Sequence, residues 1–415
     1  MFGLEPSQIV INATREKLMG YHEAVARNPR LLFWGRVFRE TKMMAAVVMF
    51  FYDHRGVPVN QVFYLSIFWA IFSLLSEVPS GYLADRIGRK QTILLGVVLM
   101  LMGDLMQFYA FGFWQFAIIF SFWSLGFSCL SGTEEAMLYD SLKETGEAGL
   151  MNEKNARLEA ARFAPRAIGP VIGSYIAKDL LETQFQIVIG IDVLLTIIGI
   201  GFALRLTEPK ICTSMLSQRR IFRQSIATIN KHPWLLRAKI SQLLVFFAGF
   251  LLFRAWQPFF VDKGATVLML GGFYFCSRLL FFVMYWHVAE IAKRFGTALV
   301  INVSALLAMP LLALSFLLDD IWLIMIFFTI AHLMIDGRIP LFAKSINQRI
   351  DSNSRATTLS VLNMLKSVLD IPFLLVAGLV TANSMANAVV GAIILCSIAV
   401  IFFWSKEKEF EDIKL

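Results

Sequence analysis

Charge is scarce in this chain. Only 16% of its 415 residues are Asp, Glu, Lys or Arg, where a soluble domain carries about a quarter. Long polar faces are missing as well, which excludes a large soluble helical protein. Cysteine is rare. Cys129, Cys212, Cys276 and Cys396 have no paired spacing, so neither a disulfide framework nor a thiolate metal site is expected. Three of them sit in apolar runs, where a free thiol behaves as a small hydrophobe. The five histidines, His22, His54, His232, His287 and His332, show no ligand spacing, and no metal is expected. No glycine-rich loop is placed to cradle phosphate, since Gly199-Ile-Gly201 falls inside an apolar run. No cofactor is therefore expected, and no ATP site. The N-terminus lacks an early apolar stretch, so no cleaved signal peptide is expected.

What the chain has in abundance is apolar length. It is 57% hydrophobic, with 38 Phe and a mean hydropathy of +0.66. At roughly 20 apolar residues per crossing, the length allows about a dozen spans. They are predicted near 31–53, 60–81, 91–111, 115–139, 157–177 and 184–206, then 237–261, 267–290, 297–318, 321–343, 357–381 and 386–404. The fold class is thus an all-α polytopic membrane protein of 12 transmembrane helices. Residues 1–30 read as a tail, 31–206 as a six-helix bundle, 207–236 as a polar linker, 237–404 as a second bundle and 405–415 as a second tail.

The net charge of +8 would suggest nucleic acid in a soluble protein. Here it reads as orientation. Loops and tails on one side carry 25 Lys and Arg, while the other side carries only Arg55, Lys178 and Lys263. That bias places both termini in the cytoplasm and removes nucleic acid as a partner. Asn12-Ala-Thr14, formally a glycosylation sequon, lies on the wrong side to be one.

The halves echo each other. Pro29-Arg-Leu-Leu32 returns as Pro233-Trp-Leu-Leu236, and Ala84-Asp-Arg-Ile-Gly88 as Ala292-Lys-Arg-Phe-Gly296, at nearly one offset. Arg157 and Arg355 stand in like places before the fifth and eleventh spans. Parallel halves of this kind place a solute site near the bilayer midplane between them.

The turn between the second and third spans carries Gly81, Asp85, Arg86, Gly88, Arg89 and Lys90. These residues resemble the loop signature of the Major Facilitator Superfamily, in which it falls at this place. The resemblance implies two six-helix bundles and alternating access, with spans 1, 4, 7 and 10 lining the cavity and 2, 5, 8 and 11 flanking it. It also implies a conformational gate, in which Asp85 and Arg86 tie the turn to a neighbouring helix end, the N-terminus of the eleventh span suiting Asp85. In the fifth span, Gly169, Pro170 and Gly173 resemble the motif of proton-coupled antiporters. Ser174 departs from it, and Phe122 stands where such antiporters often carry an Arg in the fourth span.

Ionised groups inside the spans are the richest signal, because a charge in hydrocarbon normally faces a cavity or a partner. At about 1.5 Å per residue, Lys42, Arg166, Arg254, Arg278 and Lys366 fall near mid-depth. Nine cations set within the spans (Arg36, Arg39, Lys42, Arg162, Arg166, Arg254, Arg278, Arg338 and Lys366) lie on cavity-lining or flanking ones, and the acids of the outer spans are Asp104 and Asp192. The expected site is a positive cavity lined by those five cations, with Trp256 and Gln257 at its outer side. Its solute would be an organic anion, because the guanidinium fork matches carboxylate and phosphate. The competing reading pairs the cations with acids as bridges. Glu40, Glu134, Glu135 and Asp370 are candidates to carry a coupling proton, and a bridge from Glu134 or Glu135 to Arg39 or Arg162 is the alternative.

The function expected is a secondary transporter of a small organic anion (a carboxylate, sugar phosphate or carboxylate siderophore), coupled to protons. It would work as a monomer in a bacterial inner membrane, with no enzymatic activity. A multidrug–proton antiporter is the alternative within the class. A polytopic enzyme acting on lipid is the alternative outside it, although no clustered catalytic set is visible. A membrane sensor would usually append a soluble domain, for which the linker is too short.

Overall fold

The computed structural model describes residues 19–210, 233–348, 355–384 and 386–410. The linker arginines Arg219, Arg220 and Arg223, residues 1–18 of the first tail and 411–415 of the second lie outside the described residues. Those described form helices and their connections. In order they are α1 (Asn28–Glu40), α2 (Val48–His54), α3 (Val59–Ile87), α4 (Arg89–Met106), α5 (Phe113–Leu130), α6 (Thr133–Glu144), α7 (Met151–Ala160), α8 (Phe163–Ile176) and α9 (Glu182–Leu204). The second half holds α10 (Pro233–Asp262), α11 (Val267–Phe295), α12 (Thr297–Leu317), α13 (Ile321–Asp336), α14 (Arg338–Gln348), α15 (Arg355–Thr381) and α16 (Ala386–Phe402). The twelve spans expected from hydropathy map onto these helices or onto consecutive pairs of them. Among the described residues, seven helical stretches are long and apolar enough to cross a membrane.

The pairs are where the structure corrects the sequence. The first span is not continuous. It breaks at Thr41 and Lys42, whose backbones are extended (ψ 94° and 107°), and passes through a short 3-10 turn, Met43–Ala46. The fourth span divides at Gly132, where φ is +77°, and the tenth at Gly337 between α13 and α14. The fifth begins as a separate helix, α7, ahead of α8. A β-branched or apolar run gives no warning of such breaks. Only the glycines at 132 and 337 mark two of them.

The apolar contacts explain how the halves sit together. At the end bearing α1's start and α9's finish, Leu32, Ile93, Leu138, Leu158 and Leu206 form a core confined to the first half. Leu235, Val288, Ile301, Phe342 and Leu362 form its counterpart in the second. A cluster shared by both halves lies toward the other end, where Phe63 and Ala70 of α3 meet Leu251 and Ala255 of α10 and Leu374 and Ala377 of α15. Gly271 of α11 lies against Ser174 and Val171 of α8. Tyr82 and Phe163, at the opposite ends of α3 and α8, are exposed. Among the described residues these contacts join the bundles at one end, and Tyr82 and Phe163 at the basic end are left uncovered.

Candidate functional site

The turn after α3 is held by a residue that the sequence alone does not single out. Gly88 has φ +97°, and beyond it the Arg89 and Lys90 amides donate to the two carboxylate oxygens of Glu208, each at 2.7 Å. An acid at a helix N-terminus satisfies orphan N–H groups and meets the positive end of the dipole. Arg89 also pairs with Asp140 at 2.7 Å. The second half repeats the device. Gly296 has φ +94°, and the Thr297 and Ala298 amides donate to Glu407 at 2.8 Å each. Glu208 and Glu407 each follow the last span of their half, a parallel that is visible in the sequence. Gly81 is half-buried, while Asp85 and Arg86 are exposed. The first residues of α15, the expected partner of Asp85, have side chains outside the described set.

At the basic end of the first bundle, charges are matched. Arg36 is fully buried (0% exposed). It reaches Glu134 at 2.5 Å, Glu135 at 2.9 Å and Glu159 at 2.7 Å, and Arg39 meets Glu134 at 2.9 Å. Breaking such a set by removing one member leaves an uncompensated buried charge. Glu40 takes Arg166 at 2.6 Å and Arg162 at 3.9 Å, with Arg166 51% exposed at the open mouth. Glu40, Glu134 and Glu135 are thus engaged as bridges in this state.

The break in the first span is cradled. A Cβ on Gly173 would run into the Met43 carbonyl, and one on Gly169 would press on Lys42 and Thr41. The Gly169–Pro170–Gly173 motif in α8 is the surface against which the unwound segment lies. Lys42 turns inward there, its Nζ 2.6 Å from Asp104 Oδ2 of α4. Asp192 of α9 accepts from the Met43 amide at 2.8 Å. Asp104 and Asp192, the only acids on the outer spans and absent from the expected site, meet at this point.

Between α3, α10 and α15 lies a cavity of about 310 Å³. Arg254, Lys366 and Asp370 supply its charge, Ser66 a hydroxyl, and Trp69, Phe246, Phe247, Phe250 and Phe373 an aromatic wall. Lys366 binds Asp370 at 2.6 Å, one turn away on α15. Among the described residues Arg254 has no such acid. Its Nε is buried with no hydrogen-bond partner among them; its guanidinium lies 5.3 Å from the Phe250 ring, with one long contact of 3.4 Å to the Ser66 hydroxyl.

The five cations expected around one space are therefore divided. Arg254 and Lys366 share the cavity, and Lys42 and Arg166 pair within the first bundle. Arg278 lies on α11, 3.1 Å from the Tyr274 hydroxyl and over its ring. Sequence yields depth along a helix but not direction around it, which is why depth groups them. Trp256 packs inside the second bundle against Phe260, Phe273 and Tyr274. Gln257 is a clasp between halves, accepting from the Met49 amide at 3.0 Å and donating to the Ala45 carbonyl at 2.9 Å.

Two bundles that meet at one end, enclose a charged cavity and stand open at the other define a membrane transport fold. The family model described as Major Facilitator Superfamily matches residues 37–371, and the chain belongs to that superfamily. A search of curated proteins found no match. Among solved structures, it is similar to a bacterial homolog of the human lysosomal transporter Spinster in an inward-facing, unoccupied conformation. The TM-score is 0.70 at 16% identity, covering 98% of both chains. It is also similar to a mutant form of the nucleoside transporter NupG, with TM-score 0.71, 11% identity, and 91% of this chain and 97% of that one covered. For a D-xylose–proton symporter the values are 0.69, 11%, 94% and 99%. At these identities the likeness is one of fold.

Proposed function

We propose that this transporter carries a small organic anion, a carboxylate or phosphate ester, coupled to protons, across a bacterial inner membrane with both termini in the cytoplasm. On this reading the open end is the cytoplasmic one, and the closed end blocks the outside. The observation that carries the anion is Arg254. It has no acid among the described residues and faces a cavity whose other cation is already matched, which leaves that cavity one positive charge in excess. Guanidinium fits an oxyanion as a two-toothed donor, and removal from water strengthens the attraction. The aromatic wall favours an anion with an apolar or ring-bearing body. The Asp85–Arg86 turn would engage a neighbouring helix end in the alternate, outside-open state. Monomeric action without enzymatic chemistry belongs to the same proposal.

The test is uptake into proteoliposomes from a panel of labelled carboxylates, sugar phosphates and cationic dyes. The accepted anion should lose at least about tenfold in uptake with Arg254→Gln, the loss of one charge-assisted pair, and recover part of it with Arg254→Lys. Unchanged uptake in Arg254→Gln would remove the anion site, and transport of dyes alone would favour the multidrug antiporter.

A further inference from the structure

We propose that the Asp192 carboxylate, held against the break in the first span, is the seat of the coupling proton. This rests on the proton-coupled reading above and locates the proton outside the solute cavity.

The geometry begins with an imbalance. Lys42 brings one positive charge, and Asp104 and Asp192 bring two negative ones. Both acids are buried, 2% and 3% exposed, at a depth where an uncompensated charge costs several kcal/mol. The two carboxylates are not equally served. Asp104 receives Lys42 Nζ at 2.6 Å and the Thr196 hydroxyl at 2.9 Å on one oxygen, and Trp123 Nε1 at 3.1 Å on the other. Its two oxygens thus have a charged donor, an indole N–H and a hydroxyl within reach. Asp192 receives the Met43 amide at 2.8 Å on Oδ1, but on Oδ2 only the Met44 amide at 3.5 Å. Oδ2 is the oxygen with room for a proton. With one proton there, the group of three side chains is neutral; without it, the group carries a net negative charge that pulls on Lys42.

Other charges facing the site come from its neighbours. From α1 come Arg39, whose Cβ lies near Gly199 of α9, and Glu40, both tied into the bridges described above. From α8, Arg166 is held by Glu40, and the residues touching the break are Gly169 and Gly173. Lys42 is 30% exposed and its Nζ touches Asp104, so the group of three has a side open to solvent at Lys42. A proton arriving from solvent can therefore reach Asp192 past Lys42, forming an O–H bond on Oδ2, and leave by the same path.

A second feature connects this site to motion. The segment whose Met43 and Met44 amides hold Asp192 continues into Ala45 and Met49, whose backbone groups hold Gln257 of the second bundle. The 3-10 turn and the start of α2 thus join the acid to the clasp at the closed end. A change in the charge of Asp192 acts on the backbone that keeps the two halves together.

The test needs no solute. In a variant with the four cysteines replaced, spin labels at Tyr82→Cys and Lys293→Cys report the separation of the bundles at the open end, measured as the pH is varied. Infrared difference spectra follow carboxylic acid carbonyl absorption in parallel. Wild type should show a pH-dependent shift in the distance distribution together with a titrating carbonyl band. Asp192→Asn, which imitates the neutral acid, should lose both, and Asp192→Glu should keep both with a moved midpoint. A carbonyl band and distance response that persist in well-folded Asp192→Asn overturn the proposal. If these substitutions abolish the titration while the wild-type protein accumulates no member of the anion panel under a pH gradient, the site stands and the coupled-transport reading falls.

Discussion

At the scale of the residue, the informative positions are those where a side chain has no choice. Gly173 is one. Its missing Cβ leaves space for the Met43 carbonyl, and that carbonyl cannot move aside because it belongs to the backbone of the broken first span. Gly173→Val should destabilise the protein by about 1–3 kcal/mol, the usual cost of forcing extra atoms into a packed interior. Thermal unfolding in detergent checks this. Gly201, which has open space around its Cα, provides the contrast: Gly201→Ala should leave the midpoint near that of wild type. The same scale shows what sequence can and cannot reveal. The depth of Lys42 is legible from its distance along the span, and its burial can be anticipated. Its partner is not, because Asp104 is 62 positions away on α4 and the rotation of each helix is set only when the bundle packs. Arg254 and Lys366 are legible as mid-depth cations, but the acid that separates them, Asp370 on the turn after Lys366, decides which one is available to a solute.

At the scale of the element, the turns with Gly88 and Gly296 are the clearest repeated unit. The echo between 84–88 and 292–296 predicts that they are alike. It does not predict that Glu208 and Glu407 each supply two acceptors to the helix that follows. An acid just past the last span of each half is the available signal, and it is hidden among the many charges of the loops. Glu208→Gln should cost about 0.5–2 kcal/mol, the range for loss of an N-terminal cap, and Glu407→Gln about the same. Because the two lie in different bundles, the double variant should show the sum of the single losses to within about 0.5 kcal/mol. Denaturant titration of the three variants decides this, and a double variant no worse than either single one would mean that the caps do not act independently. Breaks within spans are less legible. Gly132 and Gly337 mark two of them. The break at Thr41–Lys42 has no proline or glycine of its own, being made by Asp192 and by the glycines of α8, which belong to other parts of the chain.

At the scale of the whole molecule, an all-helical membrane fold is readable from hydropathy, because lipid leaves a chain so few ways to satisfy its backbone. The state of the molecule is not readable. Which end closes depends on contacts between halves, such as Ser174 with Gly271 and Tyr64 with Gly378, and these are pairings of residues far apart in sequence. They give a direct test of alternating access. In a background without the native cysteines, Ser174→Cys paired with Gly271→Cys should crosslink on oxidation, hold the closed end shut and reduce transport at least about tenfold, as expected when a conformational step is blocked, with recovery after reduction. Transport that continues at the wild-type rate in the oxidised protein would mean that this end does not need to open.

The paired acids at 208 and 407 have a wider consequence. Each ties the exit of its own bundle's last rod to the entrance of its third, so every half is laced shut by its own chain. The gap at the basic end is then no tear in the fabric, because neither half depends on the other to hold its helices in order there. Two self-laced bodies joined along the seams where α3 meets α15 and α8 meets α11 can tilt about those seams while each keeps its interior intact.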